Sequence, residues 1–161
     1  MTAAAPQPSQ GEPTTRIGQA VMLHHAGDRE EARSRFAALW EETSEADAFH
    51  RCTIAHYMAD TQDDPADELA WDLRALAAAD SLTEDHAAWG EHAVEVRALY
   101  PSLHLNLAAD HAKLGDPRAA RRELERARHA AHVLPDDAYG RGVLAAIDRL
   151  GRRLEEPDQR P

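Results

Sequence analysis

Three short stretches of the chain share one frame: Gly27-Asp28-Arg29-Glu30-Glu31-Ala32, Asp63-Asp64-Pro65-Ala66-Asp67-Glu68 and Gly115-Asp116-Pro117-Arg118-Ala119-Ala120. Each lies between an upstream helical pattern and a downstream one, and proline suits the first turn of the helix it opens. Each therefore reads as the elbow of a helix–turn–helix unit used three times. Nothing alternates with period two for long enough to make a strand. The expected fold class is all-α.

Around the elbows, apolar residues recur at helical spacing. Ile17, Ala20, Val21 and Leu23 make a first helix ending at Gly27, and Glu30–Glu42 follows with Ala32, Phe36 and Leu39 on one face. The second pair is Phe49–Ala59 and Pro65–Ala79. Thr83–Leu99 reads as an inserted helix, with Trp89, Ala93, Val96 and Tyr100 on one stripe. Pro101 either kinks it into Ser102–Leu114 or separates the two. Pro117–Val133 closes the third pair. Asp137–Glu155 carries Val143, Ile147, Leu150 and Leu154 on one stripe and arginines on the other, as suits a terminal cap over a stacked core.

Composition sharpens this outline. The chain has 161 residues, one domain's worth, and only 5% of them are aromatic, so its core must come from closely approaching, alanine-rich helices. Residues 1–15, mostly Ala, Pro, Gln, Ser and Thr, read as a disordered leader; 16–155 form the domain and 156–161 a flexible tail. There is no signal sequence in that leader, and no run approaches the ~18 apolar residues of a membrane span. Cys52 is the lone cysteine, which excludes an intrachain disulfide or a zinc knuckle. A cytoplasmic location is expected. A net charge of −11 argues against nucleic acid, which needs a clustered basic surface. The arginines from Arg118 to Arg128 are interleaved with Glu123 and Glu125 and read as a solvated face, with close pairs such as Arg121 and Glu125. One lysine among 18 basic residues, with so much alanine, points to a GC-rich bacterial source.

The elbows stand 36 residues apart from Gly27 to Asp63 and 52 from Asp63 to Gly115. The first interval is close to the ~34 residues of a tetratricopeptide repeat, and the second is one repeat plus an insertion. Ala20…Gly27-Asp28…Ala32…Phe36…Leu39 resembles that repeat, as does Ala108…Gly115-Asp116…Ala120…Leu124…Ala127. Asp63-Asp64-Pro65…Trp71…Ala75 is the weakest copy, lacking the glycine and both small contacts. The resemblance covers Ile17 to Val133. It implies an α-α superhelix of three hairpins with an inserted helix and a C-terminal capping helix, binding proteins or peptides on its concave face. It implies no reaction.

In this repeat two positions of the paired helices touch and are normally small. Counted from the elbows, they are Ala20 with Ala32, His56 with Glu68, and Ala108 with Ala120; a further apolar position falls on Phe36, Asp72 and Leu124. The middle hairpin is thus expected to bring an imidazole between two carboxylates, with Asp60 one turn after His56. Such groups must satisfy one another or bind something. Three readings stay open: a structural polar network, a small-ligand pocket, or a metal or acid–base site on His56, Asp60, Glu68 and Asp72. That set suits manganese, iron or zinc. A frame shifted by one residue would turn His56 away from Glu68.

His24, His50, Tyr57 and Asp60 fall where this family faces its groove and are the candidate partner contacts. His104, early on a helix beside the central pair, is a candidate addition to the polar cluster. There is no phosphate loop, zincin motif or nucleophile elbow. Trp40, Trp71 and Trp89 are spaced as core residues.

The leading expectation is a non-catalytic scaffold that needs no cofactor and recognises a basic or amphipathic protein or peptide, with self-association through an open edge as a further possibility. The alternative is a small helical enzyme or a divalent-metal or small-ligand protein centred on the middle hairpin.

Overall fold

The computed structural model describes residues 12–84 and 86–156, and for residue 84 and residues 86–96 it gives the backbone alone. Among the described residues there are seven α-helices and no strand: α1 (Pro13–His25), α2 (Arg29–Glu42), α3 (Ala48–Asp60), α4 (Pro65–Glu84), α5 (His86–Lys113), α6 (Pro117–Ala130) and α7 (Ala138–Glu155). A single 3-10 turn, Ala131–Val133, precedes α7. The helices pack as the pairs α1–α2, α3–α4 and α5–α6, with α7 closing over α5 and α6. This is the expected all-α stack of three hairpins and a cap. Residues 1–11 of the expected leader lie outside the described residues, and α1 begins at Pro13 rather than after Thr15.

The two outer turns share one geometry. Gly27 and Gly115 adopt φ of +88° and +76°, the left-handed region that side chains disfavour. The next amide then reaches a carbonyl five residues back: Asp28 N–H donates to Leu23 O at 3.0 Å, and Asp116 N–H to His111 O at 2.9 Å. Orphan carbonyls at each helix end are satisfied this way. The middle turn has no glycine and takes another route. Thr61 stays right-handed at φ −90°, and its hydroxyl and the Gln62 amide donate to Met58 O at 2.7 and 3.1 Å.

That change costs one residue. The middle link is 61–64, four residues, whereas the outer links 26–28 and 114–116 have three. Ala20, Ala55 and Ala108 each stand five residues before the end of their helix, and each is fully buried. The contact position in α3 is thus Ala55, and the expected use of His56 there is corrected. On the second helices the frame holds. Ala32, Glu68 and Ala120 are all in the fourth position, and Phe36, Asp72 and Leu124 in the eighth.

A second correction concerns the insertion. The expected inserted helix Thr83–Leu99 is not separate: α4 runs on to Glu84, and α5 continues from His86 through Pro101 to Lys113. Pro101 is buried within α5, and Tyr100 beside it donates its hydroxyl hydrogen to Asp80 on α4 at 2.8 Å. The side chains of Trp89, Ala93 and Val96 lie outside the described residues.

Small residues let the hairpins approach. Ile17, Ala20, Ala32, Phe36 and Leu39 meet Ile54 and Met58 of the next hairpin. Cys52 and Ala55 pack with Ala75, Ala79 and Leu103, and Ala108, Leu124 and Ala127 with Val143, Ile147 and Leu150 of the cap. Trp40 meets Trp71 edge-to-face at 5.1 Å, a geometry worth about 0.5–1.5 kcal/mol beyond area burial. Burial pushes the Cys52 thiol up to about 12, which leaves it an inert packing group.

Candidate functional site: a carboxylate cluster between successive hairpins

The first helices of the hairpins form one wall, since α1 packs on α3 and α3 on α5. At its C-terminal end stand His24 of α1, His56, Tyr57 and Asp60 of α3, and Asn106, Asp110 and Lys113 of α5. Glu68 and Asp72 approach from α4.

The deepest part of this group is acidic. Asp72 and Asp110 are 1% and 0% exposed, and one carboxylate oxygen from each of Glu68, Asp72 and Asp110 lies within 4.8 Å of the other two. Asp72 Oδ1 and both oxygens of Asp110 are buried without a hydrogen-bond partner. Ionised carboxylates bring no hydrogen to each other, so a bond between the two aspartates requires a shared proton. Burial, then the neighbouring Asp110 carboxyl, raises Asp72 far above the ordinary aspartate range, and burial raises Asp110 less. Glu68 is better placed: both its oxygens accept from Lys113 Nζ at 3.0 Å.

His56 does not bridge Glu68 and Asp72. Its Nδ1 lies 3.3 Å from Asn106 Nδ2, the geometry of an imidazole nitrogen accepting an amide hydrogen. Burial lowers its pKa against the pull of Asp60, which agrees with a neutral ring. Asp60, the exposed last residue of α3, has its carboxyl raised chiefly by desolvation, with His56 and His24 opposing.

The remaining candidates divide cleanly. Tyr57 stacks on Phe36 with ring centroids 5.8 Å apart and planes at 4°. His24 is half-buried near Asp60, and its Nδ1 has no hydrogen-bond partner. His50 stands at the far end of α3, about 15 Å from Asp60 by helix rise. There it is held by Asp47 Oδ2 at 2.7 Å and Thr14 Oγ1 at 3.1 Å, so it ties α3 to α1. His104 faces α6 instead of the cluster: its Nδ1 meets Glu123 Oε2 at 2.8 Å, and Arg126 binds the same carboxylate. The expected Arg121–Glu125 pair is replaced, with Arg121 donating to Leu154 O and Glu125 paired to Arg128.

Sequence reasoning missed Asn106, Asp110 and Lys113. A signal was present: Asp110 stands three residues before the end of α5, as Tyr57 does in α3, and such residues face the second helix of the preceding hairpin. Asp72 and Asp110 thus occupy the places of the stacked Phe36 and Tyr57, one repeat later.

Among the described residues, no helix is long and apolar enough to cross a membrane. The tetratricopeptide repeat family model matches residues 13–38 and 101–126, which fall within the α1–α2 and α5–α6 hairpins. No curated protein and no solved structure matches the chain. The middle hairpin, whose frame the four-residue link shifts and whose α4 positions Glu68 and Asp72 are acidic, falls outside both matched segments. Matched sequence, glycine-closed turns and stacked helix pairs together support a tetratricopeptide-like helical repeat fold.

Proposed function

We propose that this chain is a non-catalytic binding or scaffold protein that recognises a basic or amphipathic protein or peptide segment along the wall of α1, α3 and α5. One observation carries the reading. Among the described residues, the Tyr57 hydroxyl and the Asp60 carboxylate make no hydrogen bond or ion pair, and the half-buried His24 stands on the same wall. Helical repeats of this kind typically present such walls to other proteins. Tyr57 offers a rigid aromatic surface with a polar tip, a residue type enriched at protein interfaces. The acidic balance of the chain favours a partner of opposite charge, chiefly through encounter rate and selectivity.

The reading is tested with a peptide array that varies charge and amphipathicity. Basic or amphipathic peptides bind the full chain, and raised salt weakens them. Tyr57→Ala and Asp60→Asn each reduce binding about tenfold or more, while Arg122→Ala on α6 leaves it unchanged. Absence of any peptide tighter than about 1 mM, or binding indifferent to Tyr57 and Asp60, overturns the reading.

A further inference from the structure

We propose that Glu68, Asp72 and Asp110 form a binding site for one hard divalent cation, held between α4 and α5. The acidic cluster alone would not carry this. The second observation is Asp110, which is wholly buried, lacks a partner at both oxygens and sits within 4.8 Å of the other two ligand groups. A proton shared with Asp72 engages only one of those oxygens. The other has only the Glu68 carboxylate within reach, so without a cation the three acid groups satisfy one another only by holding protons between them.

A cation resolves the whole deficit at once. Carboxylate oxygens mutually within 4.8 Å can surround one ion at the 2.3–2.6 Å bonds of calcium. The donor set is all oxygen, with the His56 ring engaged at Asn106, so it suits calcium, manganese or magnesium rather than zinc. Complete burial of Asp72 and Asp110 leaves no way for a partner's lysine or arginine to reach between them, whereas a single ion needs only to pass the partly exposed Glu68. Glu68 already holds a cation. The Lys113 ammonium binds both Glu68 oxygens from a half-exposed position, from which it can turn to water when Glu68 takes up the ion. Three ionised carboxylates and a dication leave the site one negative charge, with no proton needed between the two aspartates. The site would also join the unmatched middle hairpin to the one that follows.

The test uses the full chain stripped with a chelator. Manganese is titrated by electron paramagnetic resonance and calcium by calorimetry, at pH 7.5 and about physiological salt. The expected result is one saturable site per chain with Kd of about 100 µM or tighter. Asp110→Asn weakens it about tenfold or more, and Lys113→Met, which keeps every ligand and removes the competing ammonium, tightens it severalfold. Should Asp110→Asn fail to fold by circular dichroism, Lys113→Met still decides, because surface binding to an acidic chain would not respond selectively to that change. Absence of saturation by about 10 mM ion overturns the proposal, as does binding that ignores both variants. The first of these outcomes would leave the two aspartates as a proton-sharing pair. Neither outcome bears on peptide recognition at Tyr57 and Asp60, which the array reads separately.

Discussion

Asp72 and Asp110 meet between α4 and α5 at the place where, one repeat earlier, Phe36 of α2 stacks on Tyr57 of α3 at 5.8 Å. The fold thus uses one inter-hairpin position twice, once for an aromatic pair and once for two buried carboxyls. A buried dicarboxylate adds no packing that an apolar pair would not. In chelator-stripped protein, replacing both (Asp72→Leu with Asp110→Leu) is expected to raise stability by about 1–4 kcal/mol. Denaturant unfolding at pH 8 measures it. A clear loss would show that the carboxyls hold the interface together without any ion.

The same pair makes metal-free stability depend on pH, and the sign follows from the direction of each shift. Asp72 and Asp110 bind protons more tightly folded than unfolded, so their contribution is complete below the ordinary aspartate value of 3.8. It is lost as pH climbs through about 6 for Asp110 and about 10 for Asp72. Asp60 is shifted the same way, with Glu68, Lys113 and His24 around it. His56 acts oppositely: its lowered value gives stability above 6.5 that is lost as pH falls through that value. Melting temperature in chelator is therefore expected to peak in mild acid and fall by several degrees towards pH 9. Asp72→Asn, which needs no proton to donate to Asp110, should flatten the fall. An unchanged slope would remove the pair from the account.

Much of this architecture was legible because its signals are local. Gly27 and Gly115 announce their turns, the stripe from Val143 to Leu154 announces the cap, and alanine at the contact positions announces close helices. The middle hairpin was half legible. Counting forward from Pro65 placed Glu68 and Asp72 correctly, whereas counting back across the turn assumed three link residues where Thr61 and Gln62 require four. That single residue moved the contact from Ala55 to His56 and rotated α3 by a helical step. Asp110 escaped because the comparison ran within hairpins, and its partner Asp72 belongs to the hairpin before. Pro101 was undecidable from sequence, since a buried proline inside a long helix is tolerated only when tertiary packing compensates the lost hydrogen bond.

The glycine turns make a separate prediction. An added Cβ at Gly115 or Gly27 would meet nothing within 4 Å, so the cost of alanine there is purely conformational. Gly115→Ala is expected to lose about 1–2 kcal/mol, or roughly 2–8 °C in melting temperature. Gly18→Ala, in the interior of α1 and also in open space, should gain about 0.5–1 kcal/mol. Thermal melts of the two variants side by side check the contrast. Equal effects would mean that the left-handed turn conformation is not what closes these hairpins.

His104 and Glu123 supply the last prediction, because their pairing explains why a histidine beside the cluster stays out of it. Glu123 is buried to 8% exposure on α6 and is shared by His104 Nδ1 at 2.8 Å and Arg126. The contact bridges α5 to α6 on the side away from Asp110, so it holds the third hairpin closed and has no path to the carboxylates. Glu123→Ala leaves a half-buried imidazole without its acceptor and should cost about 1–3 kcal/mol. His104→Ala should cost less, since Arg126 still satisfies the carboxylate. Neither change should alter manganese binding at Glu68, Asp72 and Asp110 or peptide binding at Tyr57. If His104→Ala abolished either activity while the fold persisted by circular dichroism, the ring would belong to the functional wall and not to the α5–α6 seam.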